Sequence, residues 1–362
     1  MGVVMADRLI LALNPGGTST KLGVYRETCK VFEESIRHAP EELAGFETTI
    51  SQLDFRKNLI MDTLREKGQK TEDLTAVVGR GGTFKPLESG TYRVNRKLVD
   101  DIIDGSTLQA DHPSNLGALL AYSIAETADL PGFFVDPVCV DEMIPEARLS
   151  GHPLLPRVSL SHALNIRMVA YKAAERAGRN FEDMNMVVLH LGSGISVNAI
   201  RKGRMIDTSN ANDGGPFSSQ RVGSLPTTGL MKLCYSGEYD AKEMKKMLLK
   251  QGGLFSYTGT DDVEDAIHRV ENGNEETELV LRAMAYQISK EAGAMATTLR
   301  GEVDVVVITG GMSYNQWLID LLTESLEFLG EIMVFPGERE LEALVRGVLR
   351  VLDSVESEKV YR

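Results

Sequence analysis

"LALNPGGTSTKLGVYRE", residues 11–27, opens as a buried strand, breaks into a turn of glycine, serine and threonine, and becomes strand-like again. A glycine-rich turn with a lysine behind it suggests phosphate, and the residues after it decide which kind of loop it is. A Walker A loop needs Gly-Lys-Ser/Thr running into a helix. Here Thr20 precedes Lys21, and "KLGVYRE" alternates as a strand, so the turn belongs to a hairpin.

The same device recurs further along the chain. "LILALNPGGTSTKLGVYRETCKVF", residues 9–32, and "MVVLHLGSGISVNAIRKGRMIDTS", residues 186–209, each give a buried strand, a Gly and Ser/Thr turn, a second strand, a charged turn and the start of a third strand. A duplication places one such unit in each of two domains. Two domains also suit 362 residues, more than one hydrophobic core usually serves. Further strand-like runs at 76–78, 133–135, 303–309 and 332–335 alternate with helical periodicity. Val280, Met284, Ile288, Met295 and Leu299 share one helix face within 277–299, and Leu164, Met168 and Tyr171 do so within 161–178. The pattern predicts an α/β fold, two duplicated actin-like (ribonuclease H-like) domains with a nucleotide cleft between them, the arrangement of actin and the sugar kinases. The expected division is 1–153 with a returning segment of about 341–362, and 154–340.

Composition excludes several classes. A net charge of −13 argues against a broad nucleic-acid-binding face, though a local glycine or arginine cradle can still hold one phosphate. No apolar run is long enough to span a bilayer, and Asp7 and Arg8 interrupt what would be the apolar part of a signal peptide, so a cytoplasmic protein is expected. Cys29, Cys139 and Cys234 are odd in number and widely spaced, which suggests neither disulfides nor a thiolate metal site.

The ordered motifs "LALNPGGTSTKLGVY", "VVGRGGTF", "HPSNLGALLAYSIA", "FVDPVCVDEM", "SHALN", "HLGSGISVNAI", "IDTSNANDGGPFSSQRVGSLP", "ITGGMSYN" and "FPGERELEALVRG" cover nearly the whole chain and resemble the acetate and butyrate kinase family, its butyrate kinase branch most closely. The resemblance implies reversible, ATP-dependent phosphorylation of a short-chain carboxylate to an acyl phosphate and ADP by direct in-line transfer, with Mg²⁺, in a homodimer or higher homo-oligomer. Acetate, propionate or branched-chain acids are alternative substrates, because one methylene in an apolar pocket is worth only ~1–3 kcal/mol. A non-catalytic actin-like nucleotide-binding protein is the alternative from another class.

A carboxylate is already anionic, so the chemistry calls for cations that bring two anions together. Arg80 and Arg221 stand in glycine- and serine-rich turns and can grip carboxylate or phosphoryl oxygens bidentately. Arg221 matches the family arginine that acts on the transferring phosphoryl group, whereas Arg80 and His112 stand out of register with their counterparts. His190 and His162 are candidate assisting groups; Val158 replaces the first histidine of the family's "FHGTSH". Asn14, Ser19, His112 and Asn115 are candidates for the substrate side. Lys21, Gly192, Ser193, Gly194, Asp262, Gly310, Gly311 and Asn315 are candidates for the nucleotide, although an acidic helix N-terminus explains Asp262 equally well. Asp136 is expected near both metal and phosphoryl group, with Glu338 or Glu340 as the second metal-associated carboxylate.

Overall fold

The computed structural model describes residues 7–362, which form two compact units: residues 7–140 with 339–362, and residues 141–338. The first division falls at 140/141, not near 153. The reason is local: Ile144 N donates to Ile206 O at 3.0 Å, and Glu142 Oε2 accepts from Met205 N at 2.8 Å, which ties the segment after Val140 into the second unit.

In the first unit, β1 (Leu9–Pro15), β2 (Ser19–Arg26) and β3 (Cys29–Arg37) form an antiparallel meander, and β4 (Ala76–Arg80) and β6 (Gly132–Val135) extend it in parallel on the other side of β1. A short β5 (Thr91–Arg93) runs antiparallel to β6, and the C-terminal strand Lys359–Val360 closes the edge beside it. The strand order is therefore C-terminal strand, β5, β6, β4, β1, β2, β3. Leu11, Leu13, Leu22, Val24, Val77 and Phe134 share one core with the helix Asn115–Thr127. The alternate residues, Ile10, Ala12 and Val135, are buried on the opposite side, where the helix Glu340–Leu352 packs. Burial on both sides explains the continuous apolar runs in β1 and β4.

The second unit repeats the plan. Its β7 (Asn185–Leu191), β8 (Ile195–Arg201) and β9 (Arg204–Thr208) form the meander, and β10 (Val305–Gly310) and β11 (Glu331–Pro336) run parallel to β7 in the order β11, β10, β7, β8, β9. Val187, Leu189, Val197, Val306 and Ile308 pack against the helices Glu275–Thr298 and Gln316–Leu326. The helix Ala163–Ala177 packs on β7 and β10.

The likeness of the two units extends below the level of topology. The ladder between the second and third meander strands slips between Val24 and Tyr25 in one unit, and between Ala199 and Ile200 in the other. The turn that follows places a non-glycine residue in the left-handed region each time, Glu27 at φ 51° and Lys202 at φ 48°. Register also makes Asn14, opposite Lys21, the counterpart of His190, opposite Ser196.

Candidate functional site

Two groups of polar residues form at the ends of the central strands, one in each unit. In the first, Asn14 near the end of β1 and Arg80 at the end of β4 meet Glu340, the first residue of the helix Glu340–Leu352. Arg80 Nη1 lies 2.6 Å from Glu340 Oε1 and 3.4 Å from Asn14 Oδ1, while Asn14 Nδ2 donates to Glu340 Oε2. A carboxylate at a helix N-terminus is favoured by the helix dipole. The glycines around Arg80 permit close packing: a Cβ on Gly79 would overlap the Gly117 backbone, and one on Gly82 would overlap Asn115.

His112 Nδ1 sits 2.8 Å from Ser114 Oγ. Burial, and secondly the charge of Arg80, push its imidazole pKa below the ordinary histidine value. The Asn115 amide is engaged within its own loop. Its Oδ1 accepts from Thr83 N at 2.8 Å and Thr83 Oγ1 at 3.2 Å, and its Nδ2 donates to Ala110 O at 2.9 Å, so its amide holds the loop in place.

Asp136, just beyond β6, is 3% exposed and adopts φ 37°. Its Oδ1 accepts from Gly90 N at 2.7 Å, and its own N–H donates to Gly90 O at 3.0 Å. A non-glycine residue held in this region costs energy, and such outliers concentrate at functional sites.

The glycine turn itself has support that sequence reasoning missed. Arg56, on the helix Leu53–Glu66, is 1% exposed, and its Nη1 donates to Gly16 O, Ser19 O and Thr20 Oγ1 at 2.9, 3.2 and 3.0 Å. Gly17 and Lys21 are exposed, and Ser19 is half-buried at the start of β2.

In the second unit, His190 lies near the end of β7 and is 1% exposed. Its Nδ1 is 3.0 Å from Asn165 Nδ2, which also donates to Thr309 Oγ1 at 3.1 Å, and Thr309 in turn donates to Gly337 O at 3.2 Å. This chain makes Nδ1 the acceptor and leaves the ring proton on Nε2, 3.0 Å from Glu338 Oε1. His162 stacks on His190 with ring centroids 3.8 Å apart and planes 9° apart, and its Nδ1 is 3.0 Å from Ser196 Oγ. The two carboxylates that sequence could not separate therefore part company. Glu338 stands beside His190, and Glu340 beside Arg80.

Arg221 is held over the second glycine turn. Ser218 Oγ donates to Ser193 O at 2.5 Å and accepts from Arg221 N at 3.1 Å, and Arg221 Nη1 donates to Ala211 O at 2.9 Å. A Cβ on Gly194 would overlap the guanidinium. Burial pushes the Arg221 pKa down, and no carboxylate among the described residues lies within ion-pair distance of it.

Gly192, Ser193, Asp262, Gly311 and Asn315 line one cavity of about 450 Å³ with Gln220 and Tyr314. Gly310 enters the same loop at φ 96°, where a Cβ would overlap Leu191, so this position requires glycine. Asp262 and Asn315 also cap helices, accepting from Glu264 N at 2.9 Å and Leu318 N at 3.2 Å. A larger cavity of about 890 Å³, lined by Val222, Leu230, Tyr235, Met244 and Leu248, contains none of the residues expected from sequence. Among the described residues no three His, Cys, Asp or Glu side chains are grouped to hold a metal, and no helix is long and apolar enough to cross a membrane.

Two sheets that share a five-strand order, each with a glycine turn after its first strand, define a two-sheet α/β fold. Solved structures share the arrangement. The acetate kinase of Porphyromonas gingivalis has a TM-score of 0.78 at 19% identity, covering 95% of this chain and 100% of that one. The acetate kinase of Entamoeba histolytica has a TM-score of 0.75 at 17% identity, covering 94% and 98%. The acetokinase family profile matches residues 158–345, and a Clostridium botulinum protein described as a probable butyrate kinase is 44% identical over 97% of this chain and 99% of its own length. The chain belongs to the acetokinase family.

Proposed function

We propose that this chain transfers the terminal phosphoryl group of ATP to butyrate or a closely similar short-chain carboxylate, giving the acyl phosphate and ADP, and that the reaction runs in both directions. The observation that carries this reading is the contrast between its two arginines. Arg80 already binds a carboxylate, that of Glu340, while Arg221 is a desolvated guanidinium with no carboxylate beside it.

In this reading the substrate carboxylate takes up Arg80, with Asn14 and His112 next to it, and needs no general base because it is ionised near neutral pH. Arg221 stabilises the charge that develops on the phosphoryl oxygens, where a desolvated guanidinium acts most strongly. The His190 Nε2–H is a donor of the kind that can steady a phosphoryl oxygen, with Asn165 fixing the tautomer and His162 supporting the ring. The loops around Gly192, Gly311, Asp262 and Asn315 hold the nucleotide.

Mg²⁺ carried by the nucleotide supplies charge neutralisation at the phosphates and needs only one or two protein carboxylates. In the first unit Asp136, a hard oxygen donor anchored by a backbone N–H, fits such an ion; in the second unit Glu338 is a carboxylate of the same kind. Glu340 has both oxygens engaged by Arg80 and Asn14.

The test is formation of hydroxylamine-trappable acyl phosphate from ATP, Mg²⁺ and a series of acids from formate to valerate, with isobutyrate included. The expected maximum is at butyrate. No product with any acid would sink the kinase reading, and a maximum at acetate would sink the butyrate assignment.

A further inference from the structure

We infer that Arg56 is a positioning residue for phosphoryl transfer, aiming the glycine turn from behind. The inference rests on the proposed carboxylate kinase reading and adds to it that the first glycine turn takes the transferred phosphoryl group. Arg56 is buried to 1% exposure without an acidic partner: among the described residues no carboxylate lies within ion-pair distance of it. Burying an unpaired guanidinium is costly, so its hydrogen bonds must compensate. Nε and Nη2 both donate to Gln52 Oε1, at 3.0 and 2.8 Å, and these contacts fix the plane of the group. Nη1 then draws Gly16 O, Ser19 O and Thr20 Oγ1 to one point, and Thr20 Oγ1 is shared with His38 Nε2 at 2.9 Å.

The consequence follows from the planarity of the peptide bond. In a trans peptide the C=O of one residue and the N–H of the next point in opposite directions. Fixing Gly16 O inward therefore turns the Gly17 N–H outward, away from the core, at a residue that is exposed. The buried cation also leaves a net positive charge behind the turn, which favours an anion in front of it. An arginine serving only the core would gain more from an acidic partner than from three acceptors of one turn.

The test compares Arg56→Met, Arg56→Lys and Gln52→Met with the unaltered enzyme in acyl phosphate formation, and measures dissociation constants for ATP and ADP. Arg56→Met should lower kcat about a hundredfold, the size of effect expected from a roughly 1 Å misplacement of a reacting group. It should weaken ATP about tenfold relative to ADP, which lacks the terminal phosphoryl group, and leave the KM for butyrate within about twofold. Arg56→Lys should recover part of the loss, and Gln52→Met, which keeps the charge but loosens its aim, should fall between. An unchanged kcat, or ATP and ADP affinities that decline together, would overturn the inference. Should Arg56→Met fail to fold, an unchanged kcat and ATP/ADP ratio in the other two variants would overturn it equally. If the unaltered enzyme makes no acyl phosphate from any acid, the kinase reading fails instead.

Discussion

Arg80 Nη1 lies 2.6 Å from Glu340 Oε1, so the cation assigned to the substrate already carries an internal carboxylate. A substrate anion must share or displace that partner. Arg80→Ala should therefore raise the KM for the carboxylate roughly 10- to 100-fold, the loss of about 1.5–3 kcal/mol typical of a hydrogen bond to a charged group, with the dissociation constant for ATP nearly unchanged. Steady-state kinetics with butyrate as the varied substrate reads this directly; an equal loss in both affinities would assign Arg80 to the nucleotide.

Arg221 and Gly194 form a second pair whose closeness can be tested from either side. Arg221→Ala should lower kcat by about 10³-fold, the lower end of what arginines supply in phosphoryl transfer, while ATP still binds. Gly194→Ala adds a methyl group where the guanidinium sits, and should lower kcat in the same direction with little change in thermal midpoint. Full activity in Gly194→Ala would show that the guanidinium can move without consequence.

Two histidines, the buried His38 and the desolvated ring of His112, make stability depend on pH. Burial, then the neighbouring Arg56 or Arg80, lowers the pKa of His38 and His112, while Glu42 and Asp111 oppose the shift. The unfolded chain binds these protons near the ordinary value of about 6.5, so between each lowered folded pKa and 6.5 it holds more protons than the fold does. Their contribution is thus present above pH ~6.5 and is lost as the pH falls below it. The thermal midpoint should drop between pH 7.5 and 5.5, and the drop should shrink in a His38→Gln, His112→Gln double variant. The same slope in both proteins would exclude these two groups as its source.

Sequence revealed the fold through its strands and turns, because strands buried on both sides read as unbroken apolar runs and the glycine turns stand out between them. The β1 and β7 hairpins, the long helix around Met284 and Ile288, and the glycines at 192, 310 and 311 were all legible in this way. Arg56 was not, since "LDFRKN" reads as a helix with one of many solvated arginines, and only the tertiary packing puts it under the turn. Asn165 and Thr309 were hidden for a related reason: Asn165 sits among the buried residues of an amphipathic helix and Thr309 in an otherwise apolar strand, and they meet across 144 positions of the chain. Asn115 shows the converse, a polar residue in a suggestive motif whose amide serves its own loop. Glu338 and Glu340 could not be told apart because Arg339, between them, marks the point where the chain leaves one compact unit for the other.

The slip beside Tyr25 and its counterpart beside Ile200 fix which side chains face the core beyond them. Val24 and Tyr25 occupy the places of Ala199 and Ile200, so the same irregularity is built from different side chains. An extra residue in one strand bends and twists it, and removing that residue would turn every later side chain onto the wrong side of the sheet. The kink is thus nearly impossible for point substitutions to erase, and the two units share it where their side chains differ.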